Sequence, residues 1–192
     1  HESSYTPDAR VGFAEREAAD PRFRPRPIPE ADLGQYYRRW MDEAELDEPW
    51  DVGSEMSFFD YEMSYWRERR RPNLLMVHFA DLKADLAGEM ARISAFLEID
   101  TPPDRLAELA HAAQFENMKA QGGGLLPALP FVFQGGHESF INKGVNGRWK
   151  DVLTAEDLAR FDRLSGARFS PSARAWIEGG RLAAGDPAAL PD

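Results

Sequence analysis

No cysteine occurs among the 192 residues, which removes disulfides, thiolate zinc sites and a cysteine nucleophile together. Positive charge is scarce: 23 Lys and Arg stand against 33 Asp and Glu, a formal net charge of −10. A general nucleic-acid or anionic-membrane binder needs a broad basic surface, so neither partner is expected, and any anion has to be bound locally. No apolar run approaches the roughly 20 residues of a membrane span, and no charged-then-apolar leader opens the chain; the expectation is a cytoplasmic protein. Internal repeats are also absent. What remains is ordinary globular material, 43% hydrophobic and 29% charged, of a length that suits one domain with a core. The first residue is His1, in a polar stretch that reads as though cut from something longer.

Residues 1–30 hold Pro7, Pro21, Pro25, Pro27 and Pro29, a spacing that favours extended or turn structure over a continuous helix. This reads as a long loop or arm, with Tyr5, Val11, Phe13 and Phe23 as apolar docking points. A helix is predicted from Glu30 to Leu46, with Leu33, Tyr36, Tyr37, Trp40 and Met41 on one face, and another from Glu55 to about Arg69, presenting Met56, Phe59, Met63 and Trp66. Arg67, Arg69, Arg70 and Arg71 then complement the carbonyl end of that helix. The apolar run Leu74 to Phe79 reads as a strand buried in a parallel sheet, and His78 inside it as a structural histidine. Asp81 is placed to cap a helix that buries Leu86, Met90, Ile93 and Leu97 beside Phe96. Pro102 and Pro103 open the next helix, with Leu106, Leu109 and Ala110. Gln121 to Gly136, with three consecutive glycines and two prolines, reads as a mobile or irregular loop. Thr154-Ala155-Glu156-Asp157 is a capping start for a helix through Leu164; Trp176 and Ile177 dock, and the tail from Gly179 frays.

Between these elements lies Phe140-Ile141-Asn142-Lys143-Gly144-Val145-Asn146-Gly147-Arg148-Trp149-Lys150. Two glycines three apart let the backbone turn tightly and approach a ligand. Lys143, Arg148 and Lys150 concentrate positive charge in an acidic protein, and Asn142 adds an amide. A phosphate suits such a loop; a plain surface turn before a helix is the bland alternative.

That segment resembles the 3′-phosphate loop of the sulfotransferases that use 3′-phosphoadenosine-5′-phosphosulfate (PAPS), whose pattern runs Arg-Lys-Gly-x-x-Gly-x-Trp-Lys. Two more blocks, in the same order, are similar to that family: Leu74 to Asp85, continuing to Ile93, Phe96 and Leu97, and Phe115-Glu116-Asn117-Met118-Lys119. The resemblance spans roughly residues 72 to 165. It implies sulfuryl transfer from PAPS to a hydroxyl or amine of a small acceptor, as in the cytosolic-type and bacterial members, without a metal. The implied fold is the C-terminal portion of a three-layer αβα P-loop sulfotransferase, this piece mostly helical with at least one buried parallel strand. The implied organisation is an arm over the acceptor site (1–30), the C-terminal portion of the domain (31–178) and a flexible tail (179–192).

By matching position, Lys143 supplies charge to the 3′-phosphate, Gly144 a backbone N–H, and Asn142 a hydrogen bond where eukaryotic cytosolic members have arginine. Phe115 and Phe140 match aromatics of the nucleotide site, where stacking on adenine is implied. Gly147, Trp149 and Lys150 match as well, Trp149 more as packing than as ligand. Phe79 and Ala113 stand where the family has a tyrosine and a threonine that read the nucleotide. Ala155 and Ala159 depart from the family's dimer motif, so that dimer is not expected. Neither a glycine-rich 5′-phosphosulfate loop nor the family's catalytic-histidine stretch matches any segment, so catalytic residues are expected upstream of His1, on a missing N-terminal part. Two alternatives stay open: a non-catalytic helical interaction module with sulfotransferase-like packing, and a kinase of the wider P-loop class.

Overall fold

The structure, a computed structural model, describes residues 5–20, 32–45, 57–141 and 144–192. The chain gathers into two compact units, one of residues 1–57 with 115–158 and the other of residues 58–114 with 159–192.

In the first unit, α1 (Pro7–Ala19) occupies the arm read from sequence as a loop. The correction follows from where the prolines fall. Pro7 sits in the first turn, where no backbone N–H is needed, and the residues up to Pro21 are free of proline. Thr6 caps the helix by accepting from Ala9 N at 3.2 Å. No residue of α1 is buried. Its start is pinned to α8 (Leu129–Val132) by Thr6 N donating to Val132 O at 2.9 Å and Thr6 Oγ1 to Phe131 O at 2.6 Å. Tyr5 stacks on Phe133, the ring centroids 5.3 Å apart.

Helix α2 (Leu33–Glu45) is the predicted one, capped by Asp32 Oδ1 accepting from Gln35 N at 2.8 Å. Its buried positions are Gly34, Met41 and Ala44, while Leu33 and Tyr36 are exposed. α10 (Ala155–Arg168) starts as predicted. Asp157 N donates to Thr154 Oγ1 at 3.2 Å, and the Thr154 backbone N–H and hydroxyl both reach back to Asp157 Oδ2, which also takes Arg38 Nη1 at 3.0 Å. The backbone bond from Thr154, with its hydroxyl and Arg38, outweighs burial and holds the Asp157 carboxyl below the ordinary carboxylate range.

Gln121 to Gly136 is not an irregular loop. α7 (Phe115–Leu125) runs through all three glycines, α8 follows, and α9 (Gly136–Phe140) closes the segment. Glycine here serves close approach: a methyl group at Gly122 would stand 2.5 Å from His137 Cδ2, so only a bare α-carbon lets α9 lie against α7.

The second unit contains α3 (Phe58–Glu68), α4 (Phe79–Ala84), α5 (Leu86–Phe96), α6 (Pro103–Ala112), α11 (Pro171–Gly179) and α12 (Arg181–Ala184). Met56, at the expected start of α3, lies outside the described residues. Phe59 and Trp66 are buried as predicted, against Phe169 at 5.0 Å and Trp176 at 6.3 Å between ring centroids.

The strand expected at Leu74 to Phe79 is absent. Among the described residues the one β pairing is an isolated bridge between Tyr5 and Phe133. Apolarity marks a segment for burial but does not supply a neighbouring strand, and a strand is defined by its ladder. Instead the Met76 carbonyl accepts from Arg92 Nη2 at 2.8 Å, Val77 is 37% exposed and Phe79 57% exposed as the first residue of α4. His78 is structural, as read: Nδ1 accepts from Ala80 N at 3.1 Å, so Nε2 carries the proton and donates to Ile177 O at 2.9 Å.

Asp81 does not cap the following helix; Asp85 does, accepting from Gly88 N at 2.9 Å. Asp81 lies inside α4, 1% exposed, and its two oxygens receive Arg181 N (2.7 Å) and Leu182 N (3.0 Å), capping α12 a hundred residues away in sequence. In α5 the completely buried residue is Glu89, bonded at 2.6 Å to both Arg92 Nη2 and Arg181 Nη2, while Leu97, expected in the core, is exposed. The tail beyond Gly179 is likewise tied down. Arg69, 4% exposed, donates to Pro187 O and Leu190 O, and Arg70 to Ala188 O and Leu190 O. These two arginines therefore hold carbonyls of the tail as well as ending α3. No described helix is long and apolar enough to cross a membrane.

Glu89 leads to a prediction about acid stability. Burial alone would raise its pKa, but the hydrogen bonds and charges of Arg92 and Arg181 prevail and hold it below the ordinary value. Its contribution is complete above the unfolded pKa, about 4.3, and is lost as pH falls through the lower folded value. Glu62 acts in the opposite sense: burial outweighs the pull of His78 and raises its pKa, so falling pH relieves it. Thermal melts of wild type and Glu89→Gln are expected to differ clearly at pH 7 and to converge only once the pH has fallen below the lowered folded pKa of Glu89, where both chains carry a neutral side chain at position 89. A gap that stayed constant with pH would show that the ion pairs do not set it.

Candidate functional site

The loop that follows α9 is built by glycines in left-handed backbone. Gly135 (φ 80°) and Gly136 (φ 56°) turn the chain into α9, Gly144 (φ 58°) lies beyond it, and Gly147 (φ 79°) opens a 3₁₀ turn over Arg148–Asp151. Asn142 and Lys143, the two polar residues read as phosphate ligands, lie outside the described residues.

Gly144 and Phe115 are brought together. Phe115 is the first residue of α7, and its ring covers the Gly144 α-carbon so closely that a methyl group there would stand 2.5 Å from Cδ2. Lys119, one helical turn along, holds its ammonium 6.0 Å from the Phe115 ring centroid. Sequence reasoning placed Lys119 in a matching block without giving it a role; the signal was its i, i+4 spacing from Phe115.

Phe140 belongs to a different aromatic group. It is 57% exposed and 5.5 Å from Phe133, the ring that Tyr5 stacks upon. Trp149 is 48% exposed rather than packed inside, with Lys150 Nζ 5.6 Å from its ring centroid, and Arg148 is exposed beside it. The described part of the site thus offers exposed aromatic faces and three cations, Lys119, Arg148 and Lys150, around a backbone that needs glycine. Such a surface suits an aromatic base carrying phosphate. Among the described residues no group of three or more His, Asp or Glu side chains is arranged to hold a metal.

Comparison with known proteins identifies the family. A family model described as the sulfotransferase domain matches residues 46–172. The glycolipid sulfotransferase of Mycobacterium bovis (strain BCG / Pasteur 1173P2) is 28% identical over 187 residues, covering 91% of this chain and 55% of the relative. The amine sulfotransferase of Oryctolagus cuniculus is 31% identical over 111 residues, 56% of this chain and 36% of the relative. Among solved structures, mouse sulfotransferase SULT7A1 complexed with PAP superposes with a TM-score of 0.55 at 24% identity, covering 76% of this chain and 57% of that one, a likeness of fold. The chain spans about half the length of the mycobacterial relative and about a third of the rabbit one. The family match takes in α3 to α6, the Phe115 helix, the glycine loop and the capped start of α10, and on that ground the chain belongs to the sulfotransferase domain family.

Proposed function

We propose that this chain serves sulfuryl transfer from PAPS to a hydroxyl or amine of a small acceptor, contributing the loop that holds the nucleotide's 3′-phosphate. In that reaction the bond from sulfur to the nucleotide's phosphate oxygen breaks, a bond from sulfur to the acceptor's oxygen or nitrogen forms, the acceptor proton passes to a base, and PAP leaves. The observation that carries the reading is the seating of Gly144 on Phe115, which fixes the loop beside an aromatic ring and the Lys119 ammonium. Lys143 adds charge at the 3′-phosphate, Asn142 an uncharged hydrogen bond and Phe140 an exposed ring. The relatives support the substrate class: one is named for a glycolipid, another for an amine, and the solved structure holds PAP.

A glycine-rich 5′-phosphosulfate loop and a family base segment do not occur in these 192 residues. We assign both to the share of the sulfotransferase domain that the relatives have beyond their match to this chain. A cytoplasmic location and the domain limits at residues 31–178 are part of the same proposal. The second reading, a helical interaction module without catalysis, is favoured by that same absence of a 5′-phosphosulfate loop.

Lys143→Ala separates the two. Isothermal titration with PAP is expected to show affinity falling about tenfold to a hundredfold, the worth of one charge-assisted phosphate contact. An unchanged dissociation constant would count against the nucleotide reading, and no PAP binding by a cooperatively folded wild-type chain would favour the interaction module. ATP lacks the 3′-phosphate, so its failure to compete with PAP would exclude the kinase alternative.

A further inference from the structure

The core of the second unit holds two tryptophans whose rings are packed but whose hydrogen bonding is incomplete. Trp66 is 1% exposed and Trp176 5% exposed, with 6.3 Å between their ring centroids. Among the described residues, their indole nitrogens are the buried side-chain nitrogen or oxygen atoms that lack a hydrogen-bond partner. An indole nitrogen only donates, and buried donors in folded proteins are almost always paired, with protein or with ordered water.

The polar side chains packed on these rings cannot take either proton. His78 meets Trp176 edge to face, 5.4 Å between centroids, but its Nδ1 already accepts from Ala80 N and its Nε2 donates to Ile177 O. The Arg69 guanidinium, 4.3 Å from the Trp66 ring centroid, has donors only. Glu62 is different. It stands four residues before Trp66 on α3, hence on the same side of that helix. Its carboxyl is half-buried, feels the charge of His78 and has no hydrogen-bond partner among the described residues. Two unmatched donors and one unmatched acceptor thus gather around the contact between Trp66 and Trp176.

We propose that the core of this unit binds a resident water molecule, which accepts from the Trp66 and Trp176 indole N–H groups and donates to the Glu62 carboxyl. About three partners is the ordinary complement of a buried water. An anion would face the Glu62 carboxylate, a cation would face the two N–H donors and the Arg69 guanidinium, and an apolar occupant would leave every polar group unmatched. Water accepts and donates within the size of a single oxygen. The link makes α3 and α11 meet through a polar bridge as well as through packed rings. It owes nothing to the nucleotide reading and would stand if that reading failed.

The test is nuclear magnetic resonance on the full 192-residue chain with isotope-labelled indole nitrogens. Both indole protons are expected to show cross-relaxation with a long-lived water, recognised by cross-peaks of opposite sign in the laboratory and rotating frames. Relaxation dispersion of the water oxygen should register the same molecule. Trp66→Phe and Trp176→Phe each remove one donor and keep an aromatic ring; either is expected to weaken the cross-peak on the remaining indole and to lose dispersion amplitude. Glu62→Leu takes away the acceptor and should weaken both cross-peaks with the tryptophans still in place, whereas Glu62→Gln still accepts and should preserve them. The position-62 pair keeps the test open should a tryptophan variant fail to fold. Indole protons with no long-lived water beside them in the wild type overturn the proposal, as do cross-peaks equally strong in Glu62→Leu and Glu62→Gln. So does a dispersion amplitude that is the same in wild type and both tryptophan variants.

Discussion

Replacing Gly144 with alanine is expected to lower PAP affinity about tenfold or more and to destabilise the chain by about 2 to 4 kcal/mol. Two separate costs meet at this residue. Its φ of 58° puts the backbone in the left-handed region, which a β-carbon disfavours by about 1 to 2 kcal/mol. The new methyl would also lie 2.5, 2.6 and 2.7 Å from Phe115 Cδ2, Cε2 and Cγ, where carbon atoms prefer about 3.5 to 4.0 Å. Relief requires the ring to swing off the loop or the loop to lift off the ring, and either movement disturbs the aromatic face and the phosphate ligands together. Gly147→Ala is the control. It carries the same kind of φ, 79°, but its methyl would meet only the Lys150 side chain, no nearer than 3.6 Å; its cost should be the conformational part alone. Thermal melts and PAP titrations of the two variants decide the matter. Equal losses at 144 and 147 would show that contact with Phe115 does not hold the loop. If the contact does hold it, adding Phe115→Ala to Gly144→Ala should recover part of the thermal loss.

What could be read in advance follows local physics. α2 and α3 were legible because apolar residues recur at helical spacing, and the start of α10 because Thr154 and Asp157 form a reciprocal cap within four residues. His78 was legible as structural because it sits in an apolar run. The arm was misread for a local reason, Pro7 falling in the first turn of α1; the other failures share one cause, a partner distant in sequence. Gly122, Gly123 and Gly124 read as loop because propensity sees the glycines but not His137, which gives Gly122 its reason. Leu74 to Phe79 read as a strand because apolarity does not say whether a ladder partner lies alongside. The tail read as frayed because nothing in Pro187 or Leu190 announces the two arginines that bind their carbonyls. In the candidate site, Gly144 and Phe115 were both named from the family resemblance, but their contact is a property of the folded chain. Lys119 was visible as a helical neighbour of Phe115 and lacked only the ring geometry.

The same distance problem hid Asp81, and its removal should produce the largest loss of stability in the unit made of residues 58–114 and 159–192. Asp81→Ala is expected to cost about 2 to 4 kcal/mol, lowering Tm by about 5 to 15 °C. The carboxylate is buried and accepts two backbone N–H groups at the start of α12, Arg181 at 2.7 Å and Leu182 at 3.0 Å. Alanine leaves both donors without their acceptor, and the end of α12 that loses its cap also carries the Arg181 guanidinium bonded to Glu89. Asp81→Asn keeps one acceptor oxygen but turns an NH₂ group toward the second N–H, so it should fall between wild type and alanine. Gly180 supplies the sharper test. A methyl group there would stand 2.6 Å from Asp81 Oδ1, at a φ of 79°. Gly180→Ala in the wild-type chain therefore meets both a collision and a conformational cost, whereas in Asp81→Ala the collision is gone and only the φ cost remains. A double-mutant cycle should show strong coupling, the double variant being clearly less damaged than the sum of the singles. Hydrogen exchange adds the location: amides of α4, α11 and α12 should lose protection. Additive losses at 81 and 180, or undiminished protection in α12, would mean that the Asp81 carboxylate does not cap this helix.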